Sequence, residues 1–128
     1  MKLLLDTHAF LWWITDDGRL SEAARRAISD RDNEVFFSAV SAWELAIKAG
    51  IGKLTLNEDL SGFVHEQLLE NRFAPLPLTL EHALRVRDLP GHHQDPFDRA
   101  LIAQVQVEGM RLVSRDTILS RYPVDVLW

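Results

Sequence analysis

The chain predicts one α/β domain, a three-layer α/β/α sandwich built on a central parallel sheet. Two observations lead there. Short apolar runs alternate with longer amphipathic segments along nearly all 128 residues, the pattern of strand–helix–strand units with right-handed crossovers. The runs Leu3-Leu4-Leu5 and Leu112-Val113 are continuously apolar, as expected of strands covered on both faces. Neither a linker nor a repeat divides residues 1–128, so a single domain is expected.

Leu3 to Leu5 reads as a buried strand stopped by Asp6, with Thr7 as N-cap of a helix over Ala9 to Ile14. After the turn Asp16-Asp17-Gly18, Ser21 caps a second helix, Glu22 to Ser29, whose Ala23, Ala24, Ala27 and Ile28 share one face. Val35-Phe36-Phe37 is β-branched and aromatic, hence strand. Ser38 and Ser41 lead into a helix through Ala49 with Gly50 as C-cap. Asp59 to Asn71 is a further helix, and Phe73 to Leu76 a short strand bracketed by prolines. Thr79 opens a helix over Leu80 to Arg87, and Leu89 to Gln94 is a loop. Pro96 suits the first position of a helix reaching about Glu108, closed by Gly109. Arg111 to Val113 is a strand, Thr117 to Arg121 a short helix, and Val124 to Leu127 a last strand.

Composition narrows the function classes. Apolar residues make up 47% and charged residues 26%, ordinary for a globular domain. The absence of cysteine excludes disulfides, thiolate metal sites and thiol catalysis. No apolar run approaches the roughly 18 residues of a spanning helix, and the N-terminus does not read as a secretory signal. A soluble cytoplasmic protein with no membrane partner is expected. The net charge of −5 lacks the basic footprint of a non-specific nucleic-acid binder. It counts less against a nuclease, because cations held by clustered acids reverse the local sign. Arginines such as Arg19, Arg25, Arg99 and Arg115 offer a phosphate rim, or simply solvated helix faces.

Four carboxylates, Asp6, Glu44, Asp98 and Asp116, stand where an apolar run stops or a helix begins. In an open parallel sheet those places share one edge, the edge at which ligands bind. Acids gathered there repel one another unless a hard cation is present, and oxygen-only donors suit Mg²⁺ or Mn²⁺. Each acid also has an ordinary role. Asp6 can be a strand stop or ion-pair partner. Glu44 completes the capping-box spacing Ser41-Ala42-Trp43-Glu44. Asp95 fits the N-cap before Pro96, which leaves Asp98 as the better ligand candidate, and Asp116 can cap the helix at Thr117. Thr7 and Ser114 carry hydroxyls beside these acids. His8, His92 and His93 are candidate ligands or acid/base groups. Trp12, Trp13 and Trp43 can stack bases, pack the core or form an interface.

Taken together, Leu5-Asp6-Thr7-His8, Ser38 to Glu44, Asp95 to Gln104 and Leu112 to Asp116 resemble the PIN-domain family, specifically its VapC-type toxin ribonucleases. The stretches fall in the family's order and span almost the whole chain. The resemblance implies a PIN-like fold and an acidic quartet of Asp6, Glu44, Asp98 and Asp116, with Ser114 in the hydroxyl position before the last acid. It implies Mg²⁺ or Mn²⁺, an RNA substrate, a homodimer and a small antitoxin partner. Thr7-His8 departs from the pair found in many members. Two rivals remain. One is an aspartyl-phosphate phosphatase or phosphoreceiver. The phosphatase would want a second Asp where His8 stands, and the receiver a lysine near the last strands, whereas none follows Lys53. The other is a non-catalytic PIN-like module that docks a protein or RNA partner. Nothing in the residues themselves separates RNA from DNA.

Overall fold

The computed structural model describes residues 1–50 and 59–128. Five strands, β1 (Lys2–Leu5), β2 (Glu34–Ser38), β3 (Ala74–Leu76), β4 (Arg111–Val113) and β5 (Val126–Leu127), form one sheet in the order β3-β2-β1-β4-β5. Every pairing is parallel, with β1 at the centre: Leu4 lies opposite Phe36 on one side and Leu112 on the other. The helices are α1 (Thr7–Ile14), α2 (Glu22–Ser29), α3 (Ala39–Gly50), α4 (Leu60–Asn71), α5 (Leu80–Arg85) and α6 (Pro96–Glu108).

Side chains alternate across a strand, so β1 feeds two cores. Leu3 and Leu5 pack with Phe10, Ala24, Phe37 and Val113 under α1, α2 and α4. Leu4 packs with Leu101, Ile102, Val105 and Leu112 under α6. This is the three-layer sandwich that the alternating segments predict.

Several boundaries move. Asp6, not Thr7, is the N-cap of α1: its carboxylate accepts the Ala9 N–H at 2.7 Å. The helix from Thr79 stops at Arg85 and tightens into a 3₁₀ turn, Val86–Asp88, while Thr117–Arg121 is 3₁₀ throughout. The last strand keeps only Val126–Leu127. The helix stop read at Gly50 borders residues 51–58, which lie outside the described residues.

One buried polar pair locks α6 to the sheet. Ser38 Oγ donates to Gln104 Oε1 at 2.6 Å while accepting the Val40 N–H at 3.0 Å, and Gln104 Nε2 donates to the Pro77 carbonyl at 3.3 Å. Both side chains are fully buried. Gln104→Leu strands the Ser38 hydroxyl and the Pro77 carbonyl, so a loss of about 2 kcal/mol in urea unfolding is expected. Adding Ser38→Ala should recover part of it.

Candidate active site

The four predicted acids meet at the C-terminal edge of the sheet, each delivered by a different segment. Asp6 follows the central strand, and its backbone N–H still donates to the Val113 carbonyl at 3.0 Å. The residue therefore sits beside the end of β4. Asp6 as a whole residue is 7% exposed. Burial pushes its carboxyl above the usual range, opposed by the Ser114 hydroxyl and the Ala9 N–H that bond it.

Glu44 corrects the capping-box expectation. The strand runs on through Ser38, which pairs with Leu76, and α3 begins at Ala39. Ser41 is therefore already inside the helix and Glu44 lies in its second turn, where it has no cap to close. Its carboxylate instead accepts from Thr7 Oγ1 at 2.6 Å and pairs with Lys48 Nζ at 2.8 Å. Thr7 Oγ1 is also 3.0 Å from Ser41 Oγ. One hydroxyl hydrogen cannot serve both neighbours, so Thr7 donates to Glu44 and accepts from Ser41.

At α6 the two acids divide as expected. Asp95 caps the helix, accepting from the N–H groups of Phe97 and Asp98 at 2.8 and 3.3 Å. The Asp98 carboxylate is left to face the site. Burial, then the charge of Asp95, push its carboxyl up to about 7, with Asp6 and Glu44 adding and His93 opposing. Asp116 is both cap and site residue: Oδ1 accepts the Ile118 N–H at 2.9 Å, and Oδ2 faces inward.

His93 emerges as a member of the cluster that spacing alone did not single out. Its Nε2 lies 3.1 Å from Oδ2 of Asp98 and 3.1 Å from Oδ2 of Asp116. Candidate ligand atoms of these three side chains all fall within 4.8 Å of one another. The other candidates separate. His8 is exposed, its ring 5.5 Å from that of Trp12, and borders an open cleft of about 430 Å³ shared with Asp6, Trp12, Arg115, Asp116 and Thr117. His92 packs edge-on against Tyr122. Arg99 points away from the acids and donates to the carbonyls of Pro90, Val86 and Leu89, which fastens the loop before α6. Trp12 is core, flanked by the guanidinium groups of Arg19 and Arg115 at 5.0 and 5.9 Å. Trp43 is 58% exposed. A larger groove, about 510 Å³, opens at the opposite edge of the sheet, where Asp30, Arg31, Glu34 and Arg72 interleave their charges.

The donor set fits a hard divalent cation. Oxygens from separate backbone segments converge, two of the carboxyls are held above their ordinary range, and the charge of Glu44 raises both while that of Asp6 raises Asp98. A cation placed among them would relieve that repulsion.

A PIN domain model matches residues 3–125. The chain is 33% identical over 115 residues to Ribonuclease VapC22 of Mycobacterium tuberculosis, covering 89% of this chain and 86% of that protein. Among solved structures it is similar to VapBC2 from Rickettsia felis bound to a promoter DNA fragment, with a TM-score of 0.74 and 15% identity over 98% of this chain and 97% of that one. DNA-bound VapBC from Salmonella typhimurium gives 0.70 and 18% over 98% and 96%. The structural likeness carries the fold, and the family model with the curated relative carries the membership. The chain belongs to the PIN domain family.

Proposed function

We propose that the protein is a metal-dependent endoribonuclease, the toxin of a toxin–antitoxin pair, acting in the cytoplasm. The observation that carries the reading is the convergence of Asp6, Asp98, Asp116 and Glu44 at one sheet edge, with Asp6 and Asp98 held above their ordinary carboxyl range. The ribonuclease name of the 33% identical relative supports the reaction class.

Asp6, Asp98 and Asp116 would hold Mg²⁺ or Mn²⁺, with Glu44 on the Thr7 side of the site. When bound, such a cation supplies a water of lowered pKa and neutralises charge that accumulates on the phosphate oxygens. The chain's own groups keep the acids in place. The Ser114 hydroxyl orients Asp6, and Thr7 with Lys48 fixes both oxygens of Glu44. Arg115 and His8 border the cleft, where they can meet a phosphodiester backbone.

Exposed apolar residues, among them Leu69 at 81%, Leu80 at 76% and Leu84 at 66%, supply surface for an antitoxin and for a second copy of the chain. Among the described residues no helix is long and apolar enough to cross a membrane.

The test is single-turnover cleavage of a single-stranded RNA by the purified chain, in Mg²⁺ or Mn²⁺ and in EDTA. Cleavage that needs the metal supports the nuclease. RNA binding without cleavage in any metal would move the protein to the non-catalytic docking reading, and a DNA arm decides the sugar preference. Thr7→Val is a finer check. It removes the donor to Glu44 while keeping shape, so a roughly 10- to 100-fold loss of cleavage is expected. A loss of about 1–2 kcal/mol in stability from the stranded Glu44 and Ser41 groups accompanies it, read separately in a melt, with the cleavage assay run below the melting temperature.

A further inference from the structure

We infer that His93 is an internal stand-in for the cation: its Nε2–H bonds Asp116 and stands beside Asp98, and an ion bridging those acids through Oδ2 competes with it. His93 is thus a positioning residue that sets the affinity of the site and is not itself a ligand. The inference rests on the metal-dependent reading above.

The tautomer follows from the partners. Nδ1 of His93 lies 3.0 Å from the backbone nitrogen of Asp95. That N–H can only donate, so Nδ1 accepts and the neutral ring carries its hydrogen on Nε2. Nε2 then donates to Oδ2 of Asp116 at 3.1 Å, and Oδ2 of Asp98 stands 3.1 Å from the same nitrogen. A histidine that binds a metal through Nε2 keeps its hydrogen on Nδ1 and donates it to a carbonyl or carboxylate. Here that hydrogen would meet the Asp95 N–H head-on.

The backbone that carries the ring is also held in place. The His93 backbone N–H donates to the Tyr122 hydroxyl at 2.8 Å, and Arg99 Nη1 reaches the same hydroxyl at 3.3 Å. Asp116 uses both oxygens, Oδ1 accepting the Ile118 N–H and Oδ2 the His93 N–H, each with one further lone pair. An ion drawn to Oδ2 of both Asp98 and Asp116 meets the Nε2–H, whose nitrogen already stands 3.1 Å from each. Loading the site at Oδ2 therefore works against a charge-assisted hydrogen bond that an acid cluster without the histidine would not contain.

Mn²⁺ titration followed by electron paramagnetic resonance, on wild type, His93→Ala, His93→Asn and His93→Gln, tests this with no activity readout. Thermal melting in EDTA and in Mn²⁺ accompanies it. His93→Ala is expected to bind Mn²⁺ on the order of 10-fold more tightly. It should melt below wild type in EDTA, with the gap closing as Mn²⁺ is added. His93→Asn, too short to reach both acids, should follow it, so the test survives if one variant folds poorly. His93→Gln, whose amide N–H spans the same distance, should stay near wild type. Weaker binding by both short variants would make His93 a ligand, and unchanged binding a bystander; either overturns the inference alone. Mn²⁺ binding by none of the four proteins overturns the metal reading with it.

Discussion

Asp6→Asn is expected to lower metal-dependent RNA cleavage on the order of 10³-fold while the fold stays intact. Asparagine keeps the side-chain oxygen that accepts the Ala9 N–H, and it caps helices about as well as aspartate. The Ser114 hydroxyl, which can donate or accept, still faces a hydrogen-bonding amide. Only the charge is lost, at the residue that lies closest to the sheet's central axis and is almost fully buried. Because burial already disfavours that charge, its removal should not lower the melting temperature. Fluorescent RNA cleavage and a circular-dichroism melt on the same preparation separate the two effects. Asp6→Ala is the less informative variant, since it also removes the cap, at about 1 kcal/mol. Cleavage by Asp6→Asn at the wild-type rate would sink the metal mechanism.

The strand–helix alternation was legible because a parallel sheet buries its strands on both faces, which leaves unbroken apolar runs such as Leu3-Leu4-Leu5. Asp95 and Asp98 could be told apart from local physics. Proline at the first helical position makes the preceding residue the cap, and the structure gives Asp95 the cap bonds. Glu44 misled for a specific reason. Ser38 and Ser41 are both good caps, and only the pairing of Ser38 with Leu76 across the sheet decides that the strand runs on through it. His93 was illegible as a partner of the acids. Its contact with Asp116 spans 23 residues and depends on a loop held by Arg99, whose own role as a loop fastener is equally non-local. The same holds for Gln104, a polar residue in an apolar helix face whose partner Ser38 lies 66 residues away.

Asp98→Asn should abolish cleavage and yet stabilise the metal-free protein, by an amount that grows with pH. The carboxyl stands at about 7 in the fold against 3.8 for the free group, first because of burial and then because of Asp95. A raised carboxyl favours the folded state while it holds its proton, so the benefit is complete below about pH 4 and is lost as pH rises towards 7. Above that the folded protein carries a buried charge that the unfolded chain hydrates freely. A shift from 3.8 to about 7 bounds the penalty at about 4 kcal/mol. Water reaching a side chain that is 23% exposed and the favourable dipole at the start of α6 should reduce the measured gain to about 1–2 kcal/mol. In EDTA, urea unfolding at pH 8 is expected to rank Asp98→Asn above wild type, with the difference shrinking at pH 5 and vanishing near pH 4. In saturating Mn²⁺ the order should reverse, because an ion bound only by the folded wild type adds stability by mass action. Lower stability of Asp98→Asn in EDTA at pH 8 would mean that the acids do not repel one another, and the strain that a cation is expected to relieve would not exist.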